Sequence, residues 1–181
     1  MKKIIFKSTI IYIFIFLFCS KLYSDDKEVI ISEIRDFIEL NQNISDSIKN
    51  FYSNSFYEPY WLNNKPKIND LKNVLSNSYK EGIPSNRYEI NTIKSLNSSS
   101  KVSDIAKLEI MLTEKFILHS RDLSIGVINP LELSSFIEIK RDEPIVEEIL
   151  SNLKKEIEIK NYFESIRPKN EDYLKLMTEL A

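Results

Sequence analysis

The stretch DIAKLEIMLTEKFILHSRDLSI at residues 104–125, followed directly by Gly126, decides the fold. At 100° per residue, Ile105, Leu108, Leu112, Phe116, His119 and Leu123 fall within an arc of about 80°, the mark of a helix with a buried stripe. Ile110 and Ile117 lie on a second side, Met111 and Leu118 on a third, and the narrow strip Lys107, Glu114, Arg121 is left for water. A helix apolar over most of its girth belongs at the centre of a domain, covered by its neighbours. Ser103 is the expected cap, Gly126 the stop, and Pro130 prevents resumption.

Working outward, the neighbouring segments are helical as well. Asp142 and Pro144 open a helix through Ile145, Ile149, Leu150 and Leu153, and Asn170 caps a last one with Tyr173, Leu174, Met177 and Leu180 inward. Upstream, Ile30, Ile34, Phe37 and Ile38 recur at helical spacing, and Ser45 can cap a segment carrying Ile48, Phe51 and Tyr52. A further helix is expected from Asn69 or Asp70 to Glu81, with Leu71, Val74, Leu75 and Tyr79 inward and Gly82 as its left-handed stop. The tract Asn97-Ser98-Ser99-Ser100 reads as a loop. Ile137-Glu138-Ile139 and Ile157-Glu158-Ile159 alternate, but three residues are too few for a sheet. The expected fold class is therefore all-α, a compact multi-helix domain with one long central helix.

Composition narrows the chemistry. With 181 residues, 43% of them hydrophobic, the chain holds one ordinary domain or one domain plus appendages. Its two glycines, Gly82 and Gly126, are far apart, which excludes a phosphate-binding loop, a dinucleotide fingerprint and a nucleophile elbow. One Cys and one His exclude a Cys/His zinc site, and neither a metal nor any other cofactor is expected. Residues 1–24 carry Lys2, Lys3, Lys7 and Lys21 and no acid, which leaves 21 basic against 27 acidic residues in the remainder, a formal −6. An acidic body repels phosphate, so no nucleic-acid partner is expected.

The amino terminus has the order of a secretory signal peptide: a basic start, the ten-residue apolar run from Ile10 to Cys19, then Ser20 to Ser24 and the acidic pair Asp25-Asp26. Ten residues are short of the roughly 17–25 a membrane span needs, so cleavage after Ser24 is favoured over an uncleaved anchor. Phe18 is too large for the residue preceding a lipidated Cys19, which disfavours a lipoprotein. The expected product is a periplasmic protein with no stable membrane span and, with Cys19 removed, no thiol. The expected organisation is signal peptide 1–24, N-terminal helix or linker 25–44, and one domain over 45–181.

Four landmarks in that domain carry a resemblance. Phe51-Tyr52 precedes Tyr57, Pro59 and Trp61; Gly82-Ile83-Pro84-Ser85-Asn86-Arg87-Tyr88 follows; Leu112-Thr113 leads to Asp122-Leu123-Ser124-Ile125-Gly126-Val127-Ile128-Asn129-Pro130; and Arg167-Pro168 precedes Tyr173 and Leu176. In this order they resemble the scaffold domain found before the catalytic domain in large murein L,D-transpeptidases, although Pro84 stands one place early. The resemblance implies a non-catalytic domain linked to peptidoglycan crosslinking, with a transpeptidase catalytic domain and peptidoglycan as partners. The family's chemistry belongs to a separate domain with a Ser-His-Gly-Cys type motif, and no such segment occurs in these 181 residues. The chain is thus expected to be an accessory or the front half of a split or truncated enzyme. The alternative is an independent helical envelope-binding module.

Other catalytic readings are weaker. Ser-x-x-Lys occurs at Ser24/Lys27, Ser98/Lys101 and Ser151/Lys154, about as often as chance placement of 22 Ser and 20 Lys yields, and the companion Lys-Thr-Gly is missing. Acid neighbours such as Asp142-Glu143 and Glu147-Glu148 suit the first turn of a helix, where the dipole favours them. His119 on the apolar stripe reads as a hydrogen-bonded core residue. Tyr57, Tyr60 and Trp61 could form a platform for a sugar or peptide, although aromatics this dense more often fill a core. They are the candidate binding residues; no catalytic residue is expected.

Overall fold

The computed structural model describes residues 27–128, 142–155 and 158–180. The stretch 1–24 read as a signal peptide, Pro130 and the alternating segment 137–139 lie outside them. Eight α-helices occur among the described residues: α1 (27–40), α2 (Asp46–Ser53), α3 (Lys65–Ser76), α4 (Ile90–Asn97), α5 (Val102–Ile125), α6 (Val146–Lys155), α7 (Ile159–Ile166) and α8 (Glu171–Leu180). No strand occurs among them.

α5 is the long central helix the stripe requires. It buries Leu108, Leu112, Phe116, His119 and Leu123 and, on its other sides, Ile110 and Met111. α3, α4, α6 and α7 pack around it. The core continues through Phe51 and Tyr52 of α2, Leu71 and Leu75 of α3, and Tyr162 and Phe163 of α7. Phe116 stacks on Tyr162 with centroids 5.0 Å apart, a contact that joins α5 to α7. α1 adds Ile34 and Ile38, both fully buried, so it is a packed element.

Several boundaries differ from the sequence reading, each for a local reason. α5 begins at Val102 with Lys101 at the cap position, which places Ser103 inside the helix. The entry is organised instead by Ser99, whose hydroxyl donates to Asp104 (2.6 Å) and accepts from the Lys101 N–H (3.2 Å). α3 starts four residues early, at Lys65, because Pro66 in its first turn is pre-set for helix and has no N–H to leave unpaired. It ends at Ser76, and the chain tightens into a 3-10 turn, Ser78–Glu81, before Gly82 at φ 74°. The tighter winding turns Ser78 inward and leaves Tyr79 48% exposed, contrary to its expected inward position. Ile145 lies outside α6 and is exposed. Asn170 does cap α8, its Oδ1 accepting the Tyr173 N–H at 2.8 Å. That helix touches the body along one edge, at the 78–81 turn, so Tyr173 and Met177 are half-buried while Leu174 and Leu180 face out. α4 and α7 had no expectation of their own.

Candidate functional site

The aromatic loop after α2 begins with an abrupt reversal. Phe56 and Tyr57 both adopt left-handed backbone, φ 54° and 59°, which bulky residues rarely do and which costs on the order of 1–3 kcal/mol each. The turn is closed by the Tyr57 N–H, which donates to the Tyr52 carbonyl at 2.8 Å. It lays residues 59–62 against α5, where the Glu109 side chain is fully buried. Glu109 Oε1 accepts the N–H groups of Tyr60 (2.6 Å) and Trp61 (2.9 Å), and Oε2 accepts that of Leu62 (3.0 Å). Successive amides of an irregular segment have no ladder to pair with, and one carboxylate satisfies all three.

The same knot continues through side chains. Trp61 Nε1–H donates to Thr113 Oγ1 (2.9 Å), the Thr113 and Tyr52 hydroxyls lie 2.7 Å apart, and Tyr52 Oη lies 3.0 Å from Glu109 Oε1. One arrangement uses every proton: Trp61 to Thr113, Thr113 to Tyr52, Tyr52 to the carboxylate. Burial raises the Glu109 carboxyl above its ordinary range, and the N–H bonds from Trp61, Leu62 and Tyr60 work against that rise. The carboxylate is therefore a structural acceptor, saturated by its donors.

A second knot closes the other end of α5. Arg87 binds Asp122 with two bonds, Nε to Oδ2 at 2.7 Å and Nη2 to Oδ1 at 3.0 Å. Tyr88 Oη donates to Asp122 Oδ2 (2.8 Å), which commits its one proton, so the 2.9 Å contact between Tyr88 Oη and His119 Nδ1 has the imidazole donating. His119 is thus fixed as the Nδ1–H tautomer, edge-on to Phe163 at 4.6 Å. Burial lowers its pKa to about 4, so it is neutral near pH 7. Asp122→Ala should cost roughly 2–4 kcal/mol by leaving the buried Tyr88 hydroxyl and the guanidinium without their acceptor. Arg87→Ala should cost less, since its side chain is 38% exposed. Urea unfolding of the two variants checks the order.

A third knot holds α8. Glu81, at the end of the 3-10 turn, accepts from Arg167 Nη2 and from the Tyr173 hydroxyl, one through each oxygen. The four landmarks of the sequence are thus largely the parts of these three knots: Tyr52, Trp61 and Thr113 in the first, Arg87, Tyr88 and Asp122 in the second, Arg167 and Tyr173 in the third. Their physical work is to fix the irregular joints between helices.

The three candidate binding residues are placed differently from one another. Trp61 is fully buried and spends its indole N–H inside, so it offers no surface. Tyr60 is half-buried; its hydroxyl donates to the Leu153 carbonyl (2.6 Å) and lies 2.5 Å from Lys67 Nζ. Tyr57 stands at the edge, its hydroxyl donating to Glu39 (3.1 Å) with Arg35 5.1 Å from the ring centre. Phe56 beside it is 82% exposed. Sequence reading missed Glu109, although at 100° per residue it falls about 20° from Phe116 and about 140° from the centre of the solvent strip, which is the signal that a carboxylate is turned inward.

On the far side of the same loop lies a cavity of about 610 Å³. Leu62, Ile68, Leu96, Ile105 and Leu108 form its floor, and Lys27, Lys65, Asn63 and Asn97 stand on its rim. Among the described residues no carboxylate and no aromatic ring lines it. Of the Ser-x-x-Lys pairs, Ser98 spends its hydroxyl on the carbonyls of Lys94 and Ser95 at the end of α4. Glu147 accepts from Ser47 (2.6 Å) at the surface. Among the described residues no group of three His, Cys, Asp or Glu is placed to hold a metal, and no helix is long and apolar enough to cross a membrane.

Compared with known families, residues 46–180 match the one described as Scaffold domain. The matched span begins one residue after Ser45 and takes in all four landmarks, in agreement with the resemblance read from the sequence. No curated protein and no solved structure matches the chain.

Proposed function

The chain belongs to the Scaffold domain family, a non-catalytic family, and from that premise we propose that it serves peptidoglycan crosslinking in the periplasm as the structural partner of an L,D-transpeptidase catalytic domain. The observation that carries this reading is the match over residues 46–180, together with the conversion of its landmarks into three polar knots, buried or half-buried. Every titratable group in those knots is spent on a protein partner: Glu109 on backbone amides, Asp122 on Arg87 and Tyr88, His119 on Tyr88. These bonds hold the joints between helices in place, with the Arg167 Nε of the third knot left buried without a hydrogen-bond partner among the described residues.

The contact surface we assign to the partner domain is the strained edge at Phe56, Tyr57 and Tyr60, with Trp61 as its buried support. An exposed aromatic beside a rigid joint is the kind of anchor that fills a partner's pocket. In a pull-down, the immobilised chain should retain a transpeptidase catalytic domain from envelope extract and should sediment with murein sacculi. Retention of neither would remove the support for a role in crosslinking and favour a helical envelope module with another task.

A further inference from the structure

The cavity beneath the aromatic loop has the chemistry of a binding site for a short peptide. Its volume of about 610 Å³ falls in the range of small-ligand pockets, roughly 300–1,000 Å³. The floor is aliphatic, with side chains from three helices and from the loop: Leu62, Ile68, Leu96, Ile105 and Leu108. Sugars are usually met by flat aromatic faces, and none lines this cavity among the described residues, whereas methyl-bearing side chains suit an aliphatic floor.

The rim selects charge. Lys27 and Lys65 line the cavity and, among the described residues, no acid does, in a chain whose body is acidic overall. Lys27 pairs with Glu58 at 2.8 Å, but no carboxylate lies within ion-pair distance of Lys65 among the described residues. Lys65 is also the first residue of α3, a helix with no acidic residue in its first turn and no side-chain cap on its N-terminal amides. The positive end of that helix and the Lys65 ammonium therefore act on the same side of the cavity. Asn97 adds a carboxamide suited to peptide groups, while Asn63 donates from its amide to the Pro59 carbonyl (2.7 Å) and so stiffens the wall.

The loop that forms one wall is the one Glu109 pins. Pro59, Leu62 and Asn63 line the cavity, while the amides of residues 60–62 are held from behind by the carboxylate. The wall is thereby preorganised, which spares a ligand the cost of ordering it.

We propose that this cavity binds a short peptide with a free carboxylate, its small apolar side chains on the aliphatic floor and its carboxylate at Lys65. Resting on the function proposed above, the peptide is a murein stem. The scaffold domain thereby holds a peptide strand at a fixed distance from the partner catalytic domain.

The test is calorimetric titration of the chain with murein stem tetrapeptide and with the same peptide carrying carboxamides in place of its carboxylates. The acid form should bind at least tenfold more tightly than the amide form, and binding should weaken with salt. Lys65→Glu should lose at least tenfold in affinity while Lys65→Arg keeps it. Lys65→Glu places an acid in the first turn of α3, where the dipole favours it, so a lost signal with an unchanged melting temperature reports the site and not unfolding. Equal binding by the wild-type chain and Lys65→Glu, or no peptide binding by a chain that still sediments with sacculi, would overturn this assignment and leave the scaffold role standing. Failure to bind peptide, sacculi and catalytic domain alike would take both down.

Discussion

Glu109→Ala should cost on the order of 3–5 kcal/mol and lower the melting temperature by roughly 10 °C. The substitution strips the acceptor from the amides of Tyr60, Trp61 and Leu62 and from the Tyr52 hydroxyl at once. Each buried donor left unpaired costs about 1–3 kcal/mol, which outweighs relief of the desolvation of one carboxylate. Glu109→Gln keeps one acceptor oxygen and should cost less than Ala. It also isolates the titration. Burial raises the folded-state pKa of Glu109 above its unfolded value, so ionising it costs more in the fold than in the unfolded chain. Its contribution is fully present below the unfolded value and is lost as pH rises through the folded one. The advantage of the wild-type chain over Glu109→Gln should therefore grow as pH falls toward and below the ordinary carboxylate range. Paired thermal melts across that range read the effect, and a constant or shrinking gap would contradict it.

His119 should act in the opposite direction. Its pKa is 6.5 ordinarily and about 4 in the fold, lowered first by burial, with Arg167 adding to the drop and Asp122 opposing it. A histidine with a depressed folded pKa contributes stability above its unfolded pKa, and that stability is lost as pH falls from 6.5 to about 4. The gap corresponds to about 3 kcal/mol at roughly 1.4 kcal/mol per tenfold change in proton affinity. His119→Asn places an amide donor where Nδ1–H stands and removes the titration. The wild-type chain should lose about 3 kcal/mol relative to His119→Asn between pH 7 and pH 4, measured by denaturant unfolding at each pH. Parallel curves would mean that the imidazole is already protonated in the fold, or that it titrates normally.

The central helix was legible because a stripe of apolar residues over about five turns leaves no other solution, and His119 was legible as part of that stripe. What lay outside reach was set by tertiary demand. The angular position of Glu109 marks it as turned inward, but its partners, the amides of a loop far back in the chain, are set by the tertiary fold and have no local pattern. Tyr79 was misplaced because the change from α to 3-10 winding after Ser76 shifts every following side chain. Leu174 and Leu180 fit an amphipathic pattern, yet α8 meets the body along one edge at Glu81, so periodicity overstated their burial. The aromatic cluster was visible as a cluster. Its division into a buried Trp61, a half-buried Tyr60 and an edge Tyr57 follows from left-handed turns at Phe56 and Tyr57 that no glycine marks.

The scaffold role is tested most directly by mass spectrometry of the products formed from murein tetrapeptide strands by the purified chain alone, by a transpeptidase catalytic domain alone, and by the two together. Crosslinks should be absent with the chain alone and should rise when it joins the catalytic domain. Crosslinks made by the chain alone, or a catalytic domain indifferent to its presence, would contradict that role.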